Sequence, residues 1–351
     1  MKTRFLVNVF SASFAGVLLQ RGIYFFTNDV LHFTQAQNLW LALCYGIAYV
    51  GGAASSHRIS TRLGERTALL AALGGLVLLH LAIACFPSAL LLSLAFIAVA
   101  AFQGSVWPLF ESYMSAGESP QSLGRALSRY NLAWSLSVAP ALSVTGPLIA
   151  SGEPRSLFLV AAVMNAGVLL SCRAFPAHPA HHAPGHVVDL SAATLGRYRG
   201  LLVSARFAML ESYTLLFLLA PLMPEIMKSV GFSTASATRA AGLLDVARFA
   251  CFFGLFLFGG WHGKRLPIVL AIAALPCGFA LVLLGPNASL VIAGEALFGF
   301  AAGFLYTAAL YYAQLVQNAS VDAGGAHEAL IGLGYAPVSY THLTLPTKRI
   351  V

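Results

Sequence analysis

The chain has 351 residues, of which 58% are hydrophobic and only 9% are charged, and its mean hydropathy is +0.79. A soluble domain carries about 25% charged residues, so these figures exclude an ordinary soluble enzyme and an intrinsically disordered chain. The remaining class is an all-α, polytopic membrane protein. The excess of 20 basic over 12 acidic residues then does not indicate a nucleic-acid partner, because cytoplasmic loops of membrane proteins are enriched in Lys and Arg.

Apolar segments recur along the chain at lengths that suit membrane-spanning helices. A helix needs about 20 residues to cross the hydrocarbon layer, and lipid offers the backbone no hydrogen-bond partner, so each span must be helical. Short loops with polar residues, Pro or Gly separate the segments. The sequence predicts ten spans, at about 5–26, 38–56, 68–86, 88–114, 127–150, 155–173, 200–222, 237–260, 266–285 and 288–316.

Basic residues are unevenly divided between alternate loops, and this division predicts the orientation. Twelve Lys and Arg residues lie in the loops on the side of the N-terminus, against three on the other side, Arg155, Lys228 and Arg239. By the positive-inside rule the N-terminus is cytoplasmic. We expect a multi-pass protein of the plasma membrane, which is the inner membrane in a bacterium.

The segment 175–198 is the only long connection, and its Pro- and His-rich composition is typical of a linker. It separates a six-helix bundle at 1–174 from a second bundle at 199–336 that holds four of six helices. The linker histidines can bind a transition metal weakly or remain solvated. Residues 337–351 lack a membrane period, and their start, PVSYTHL, resembles translated sequencing-adapter sequence, so we expect this tail to be an artefact.

The two bundles carry an internal repeat. Shifting the sequence by 199 positions superposes Gly64 on Gly263, Arg66 on Arg265, Pro87 on Pro286, Gly104 on Gly303 and Tyr113 on Tyr312. All five matches fall at equivalent places in the predicted topology. Parallel repeats related by an axis along the membrane normal build one large class of secondary transporters.

Two motifs carry a resemblance to a known family. The turn after the second span, HRISTRLGERTALL, resembles the loop motif of the major facilitator superfamily, with Arg62, Gly64 and Arg66 matching and Thr61 in place of the usual Asp. The fifth span ends in SVTGPLIAS, which is similar to the Gly-Pro motif of antiporters in that superfamily. Gly146 and Pro147 match there and are expected to let the helix bend.

This resemblance implies twelve helices, so the eleventh and twelfth are expected to be missing from the chain. It also implies a cytoplasmic gate, in which guanidiniums pair with carboxylates or with carbonyls at helix ends; simple anchoring by positive charge is the alternative reading. Gly299 and Gly303 are spaced for close helix packing. The gate residues are expected to be Arg62, Gly64, Arg66, Glu111, Arg125 and Arg129.

Charged residues inside the spans are the best indicators of function, because a charge at mid-bilayer costs at least about 2.5–3.5 kcal/mol and should face a cavity or a partner. Asp245 and Arg248 are three residues apart, so they share one helix face and can pair. Glu111 is placed within reach of Arg125 or Arg129. The substrate or coupling-ion pathway is expected to include Arg21, Gln103, Trp107, Glu211, Asp245, Arg248, Glu295 and Tyr306.

We expect Arg21 and Arg248 to help bind an anionic or polar solute, and Glu211 or Glu295 to carry a coupling proton. Static ion pairs between helices are the alternative for the charged residues, and interfacial anchoring is the alternative for the aromatic ones. The Gly-Pro motif favours proton-coupled efflux over uptake of a sugar or organic anion.

Other classes of protein fit the sequence less well. An intramembrane enzyme needs a nucleophile with a base, or metal ligands, at one depth, and His80 is the only histidine within the predicted spans. A channel is expected to show a charged ring or a filter loop. We therefore predict a monomeric secondary transporter, not an enzyme, with a small solute, protons and lipid as partners and with no nucleic acid, cofactor or metal.

Overall fold

The computed structural model describes residues 2–29, 31–86, 88–150, 155–179, 190–232 and 242–334, and these residues form helices joined by short turns. The predicted all-α membrane architecture is confirmed. In chain order the described helices are α1 (Lys2–Asp29), α2 (Gln35–Leu63), α3 (Glu65–Cys85), α4 (Ala89–Ser115), α5 (Pro120–Leu136), α6 (Val138–Ala150), α7 (Ser156–Cys172), α8 (Ala192–Ser229), α9 (Leu243–Leu257), α10 (Arg265–Leu284), α11 (Ala288–Val316) and α12 (Val321–Leu333).

Seven of the helices in the described part are long and apolar enough to cross a membrane. They are α1, α2, α3, α4, α8, α10 and α11. The helix α7 is apolar but shorter. These helices belong to a multi-pass membrane protein.

The predicted fifth span, 127–150, is two helices in the structure. The break lies at Ser137, between α5 and α6. Pro140 explains it, because proline has no N–H to donate and its ring clashes with the carbonyl four residues earlier, here that of Leu136. The hydroxyl of Ser137 donates to the carbonyl of Trp134 at 2.6 Å, which satisfies one of the carbonyls that the break exposes.

The described residues form two compact units. The first takes residues 2–117, 133–179 and 319–334, and the second takes residues 118–132, 190–232 and 242–318. In the first unit α2 packs on α4, α3 and α1 pack on α7, and α12 packs on both α2 and α4. In the second unit α11 packs against α8, α9 and α10. A boundary between bundles at the linker 175–198 stays a prediction.

The predicted repeat is visible in the local backbone of each unit. Gly64 ends α2 with φ +81°, and Gly263 precedes α10 with φ +69°. Such positive φ values favour glycine, because the Cβ of any other residue would clash with that residue's own backbone. The side chains of Ser88 and Asn287, 199 positions apart, cap the first turns of α4 and α11 by accepting from the backbone N–H of the third residue on. The same chemistry therefore starts equivalent helices.

Close helix packing in the two units also follows the repeat. A Cβ on Gly104 would lie 2.3 Å from the carbonyl oxygen of Tyr49, so α4 and α2 touch backbone to backbone. In the second unit Gly299 lies against the carbonyl of Leu244, and Gly303 lies against Arg248. As their spacing predicts, both of these glycines face one neighbouring helix, α9. Such contacts are typical of helix pairs in lipid, where close packing replaces hydrophobic burial.

Candidate functional site

Arg248 is the centre of the polar cluster in the second unit. It lies on α9 with only 7% of its surface exposed, and its Nη2 donates to the hydroxyl of Tyr213 on α8 at 3.1 Å. Its Nη1 lies 3.6 Å from Oδ1 of Asp245, one turn earlier on the same helix, as the spacing predicts. The Arg248 cation also stands over the Tyr213 ring, 5.7 Å from the centroid, a favourable position for a cation–π contact.

Two further predicted residues belong to this cluster. The ring of Tyr306 on α11 lies 6.4 Å from the ring of Tyr213 and 6.1 Å from that of Phe252. Glu295, also on α11, is fully buried, and neither of its oxygens has a hydrogen-bond partner among the described residues. Asp245 lies close enough to act on Glu295 electrostatically. Together these residues form what we call the Arg248 cluster: Tyr213, Asp245, Arg248, Glu295 and Tyr306.

Glu211 lies outside the Arg248 cluster. Its position on α8 is exposed, whereas Tyr213, two residues later, is buried. The contacts given above for Arg248 are with Tyr213 and Asp245. Tyr213 was not selected from the sequence. Tyr213 lies two residues after Glu211 in one predicted span. Which of the two side chains faces inward depends on the rotation of the helix, which the sequence does not show.

Two of the predicted pathway residues, Gln103 and Trp107, have described side chains in the first unit. Gln103 on α4 is buried and accepts a short hydrogen bond from the hydroxyl of Tyr45, which in turn accepts from Gln20 at 2.7 Å. Trp107 is half-buried and packs edge-on against Phe110 at 6.1 Å. The side chain of Arg21 lies outside the described residues.

The loop motif between α2 and α3 docks on the segment that follows α7. Nη1 of Arg66 donates to the carbonyl of Phe175 at 3.1 Å, an acceptor of the kind expected at a helix end. The carboxylate of Glu65 lies 2.6 Å from Nδ1 of His178. Arg62 is exposed. Within the first unit the motif therefore joins the α2–α3 turn to the segment that follows α7. No pattern in the sequence predicts the Glu65–His178 pair.

The other predicted gate residues lie on α4 and α5. Glu111 on α4 is fully buried, and the groups beside it are His327 and Glu328 of α12. Arg125 on α5 is exposed, and Arg129 is exposed too, with its guanidinium 5.5 Å from the ring centroid of Phe256. In the helix-bend motif, Pro147 is exposed on α6, and nothing is described around Gly146.

A histidine in the turn before α10 lies against Gly124 of α5, the residue before Arg125. The His262 ring stacks on Tyr311, with centroids 4.4 Å apart. A Cβ on Gly124 would lie only 2.5 Å from its Nε2, and this nitrogen has no hydrogen-bond partner among the described residues. Burial lowers the pKa of the His262 imidazole from its ordinary value of 6.5, because burial disfavours the charged form.

The lowered pKa of His262 predicts acid-sensitive stability. An unfolded chain takes up a proton at His262 near pH 6.5, whereas the folded chain takes it up only at lower pH. The thermal midpoint of the purified protein is therefore expected to fall between pH 7.5 and pH 5.5, and to fall less in H262N. The control is H57N, at an exposed histidine. Equal pH dependence in H262N and the unsubstituted protein would contradict this account.

The apolar helices and the repeated helix units define a multi-pass membrane protein. The chain matches the model of the Major Facilitator Superfamily over residues 5–338. It belongs to that family, as the motifs predict, and it is a secondary transporter. No curated protein matches it in sequence.

Solved structures of transporters share the fold. The human organic anion transporter MFSD10 (TETRAN) is 16% identical, with a TM-score of 0.65, over 98% of this chain and 93% of that one. The proton:xylose symporter XylE, bound to 6-bromo-6-deoxy-D-glucose, is 15% identical, with a TM-score of 0.72, over 97% and 87%. The E. coli fucose:proton symporter FucP is 14% identical, with a TM-score of 0.70, over 98% and 90%.

Proposed function

We propose that the chain is a proton-coupled transporter of a small polar or anionic solute, working by alternating access. The observation that carries the proposal is the Arg248 cluster, in which one buried cation and one fully buried carboxyl, Glu295, lie in the same unit. An arginine held by a tyrosine and a carboxylate can receive an anionic or hydrogen-bonding solute. Arg21 is proposed to contribute to the same binding.

Glu295 is the residue that we propose carries the coupling proton. It has no basic hydrogen-bond partner in the described part of the chain, and a carboxyl buried in that way is costly to ionise. Exchange of its proton can therefore be tied to a change in its surroundings. Glu211 has an exposed position on α8, which makes it the weaker of the two candidates.

For the direction of transport we propose efflux, on the basis of the Gly146-Pro147 motif in α6. The alternative is proton-coupled uptake of a sugar or an organic anion. It is supported by the fold shared with the xylose and fucose symporters and with the organic anion transporter. We further propose a monomer in the plasma membrane, with a cytoplasmic N-terminus and two bundles joined at 175–198.

Exchange of Glu295 for glutamine tests proton coupling. Purified protein in liposomes is given a pH gradient, and accumulation of labelled xylose, fucose, benzoate and ethidium is followed. At least one solute is expected to accumulate only with the gradient, and E295Q is expected to lose this accumulation, because the amide of glutamine cannot take up and release the proton. Counterflow without a gradient should persist, because it needs no net proton movement.

The matched control is E211Q, at the exposed carboxyl of the same unit, which should retain gradient-driven accumulation. Gradient dependence that survives in E295Q, or that disappears in E211Q alone, would refute the assignment. Inside-out vesicles with an acidic lumen decide the direction. An exchanger accumulates its solute there, whereas a symporter does not.

A further inference from the structure

A second buried cluster lies in the first unit, between α4 and α12. It consists of Glu111, His327 and Glu328, here called the Glu–His–Glu cluster. The carboxylate oxygens and a ring nitrogen lie within 4.8 Å of one another. Glu111 and His327 are fully buried, and Glu328 is 4% exposed. Since Glu111 comes from one helix and the other two from another, the cluster joins two separate helices at one point.

Glycines on α12 bring its side chains this close to α4 and α2. A Cβ on Gly324 would lie 2.4 Å from a carboxylate oxygen of Glu111 and 2.9 Å from Cα of Pro108. A Cβ on Gly325 would lie 2.7 Å from the carbonyl oxygen of Ala53 on α2. The hydroxyl of Ser112 donates to the carbonyl of Ala319 at 2.8 Å and fixes the start of α12 against α4. The position of the cluster is therefore set by backbone contacts.

The ligand types and the burial of the cluster suit a cation. Two carboxyls lie together, away from water, and neither oxygen of Glu111 has a hydrogen-bond partner among the described residues. The hydroxyl of Tyr49 on α2 makes a short hydrogen bond to Glu328, which orients that carboxylate from outside. Buried charges in proteins are either paired or coordinate a metal, and oriented ligands of this kind are typical of metal sites.

We propose that the Glu–His–Glu cluster binds one divalent transition-metal cation. One imidazole nitrogen and two carboxylates suit Zn²⁺, Mn²⁺ or Co²⁺, which accept mixed nitrogen and oxygen ligands. The imidazole disfavours Mg²⁺ and Ca²⁺, which prefer oxygen. A bound cation joins α4 to α12 and neutralises the two carboxylates.

Cation binding is measured on the whole chain, without a polyhistidine tag, after removal of metal by EDTA. Titration with CoCl₂, followed by absorption and by calorimetry, is expected to show one ion per chain. The variants E111Q and H327N each remove a ligand and are expected to weaken binding more than about a hundredfold, and Y49F, which removes an orienting group, about tenfold. ZnCl₂ is expected to displace the cobalt.

Two controls separate this site from other histidines. H80N removes a fully buried histidine of the same unit, on α3, and should leave binding unchanged. A chain with Asn in place of the linker histidines should also bind one ion; of these, only His178 lies in the described part, and the others are His181, His182 and His186.

A measurement on the unsubstituted protein tests the proposal even if a variant misfolds. Electron paramagnetic resonance of the unsubstituted protein loaded with Cu²⁺ should show coupling to a single imidazole nitrogen. Binding that is absent, that persists in both E111Q and H327N, or that is lost with the linker histidines would overturn the proposal. If the cluster only shares a proton between its two carboxyls, no metal binding will be detected. Failure here leaves the E295Q experiment unaffected, because that residue lies in the other unit.

Discussion

Alanine at Gly52 is expected to destabilise the protein severely. A Cβ at this position of α2 would lie 1.9 Å from the carbonyl oxygen of Ala101 on α4, and 2.7 Å from its carbonyl carbon. Because both atoms are backbone, no side-chain rotation relieves the clash, and the two helices must separate. Overpacking costs about 1–3 kcal/mol and occasionally more, and a clash between two backbones belongs at the upper end of this range.

The measurement is the thermal midpoint of the purified protein in detergent, followed by size-exclusion chromatography. Gly51 provides a matched control, since a Cβ there meets no atom within 4 Å, so G51A should keep its midpoint. G104A adds a methyl group to the other side of the same contact and should behave like G52A. If G52A and G51A melt together, the backbone contact between α2 and α4 is not as close as described.

Glutamine at Arg248 is expected to abolish transport of anionic solutes and to lower stability. The substitution leaves Asp245 without its cation and removes the charged donor to Tyr213. A hydrogen bond to a charged group contributes about 1.5–3 kcal/mol, so the thermal midpoint should fall as well. The conservative variant R248K keeps the charge but loses the planar fork of the guanidinium, and it should recover only part of the activity.

Counterflow of labelled benzoate in liposomes gives the activity, and the thermal midpoint gives the stability. The control is R199Q, which removes an exposed arginine near the start of α8. It should retain both properties. Activity of R248Q equal to that of R199Q would remove Arg248 from the proposed binding site, whatever its effect on the midpoint.

Much of the local structure could be predicted because it depends on interactions between near neighbours in the chain. Gly64 ends a helix with a positive φ that favours glycine. Asp245 and Arg248 pair because residues three apart share a helix face. The break before Pro140 also has a local cause, but the apolar pattern predicts one span over 127–150, whereas the structure ends α5 at Leu136.

The composition and the repeat also fixed the class of the protein. Long apolar segments require helices, since lipid cannot satisfy exposed backbone groups. The motif residues and the repeated landmarks then indicated the family, which the match over residues 5–338 confirms. None of this depends on how one helix is rotated against another.

Tertiary structure alone decides which side chains meet in the buried clusters. Successive residues on a helix point about 100° apart, so depth along a span does not tell which side chain faces inward, and Glu211 is exposed while Tyr213 is buried. His327 and Glu328 meet Glu111 across more than 200 positions of sequence. They do so because glycines let α12 rest on α4 and α2, a contact between distant helices that no local pattern encodes.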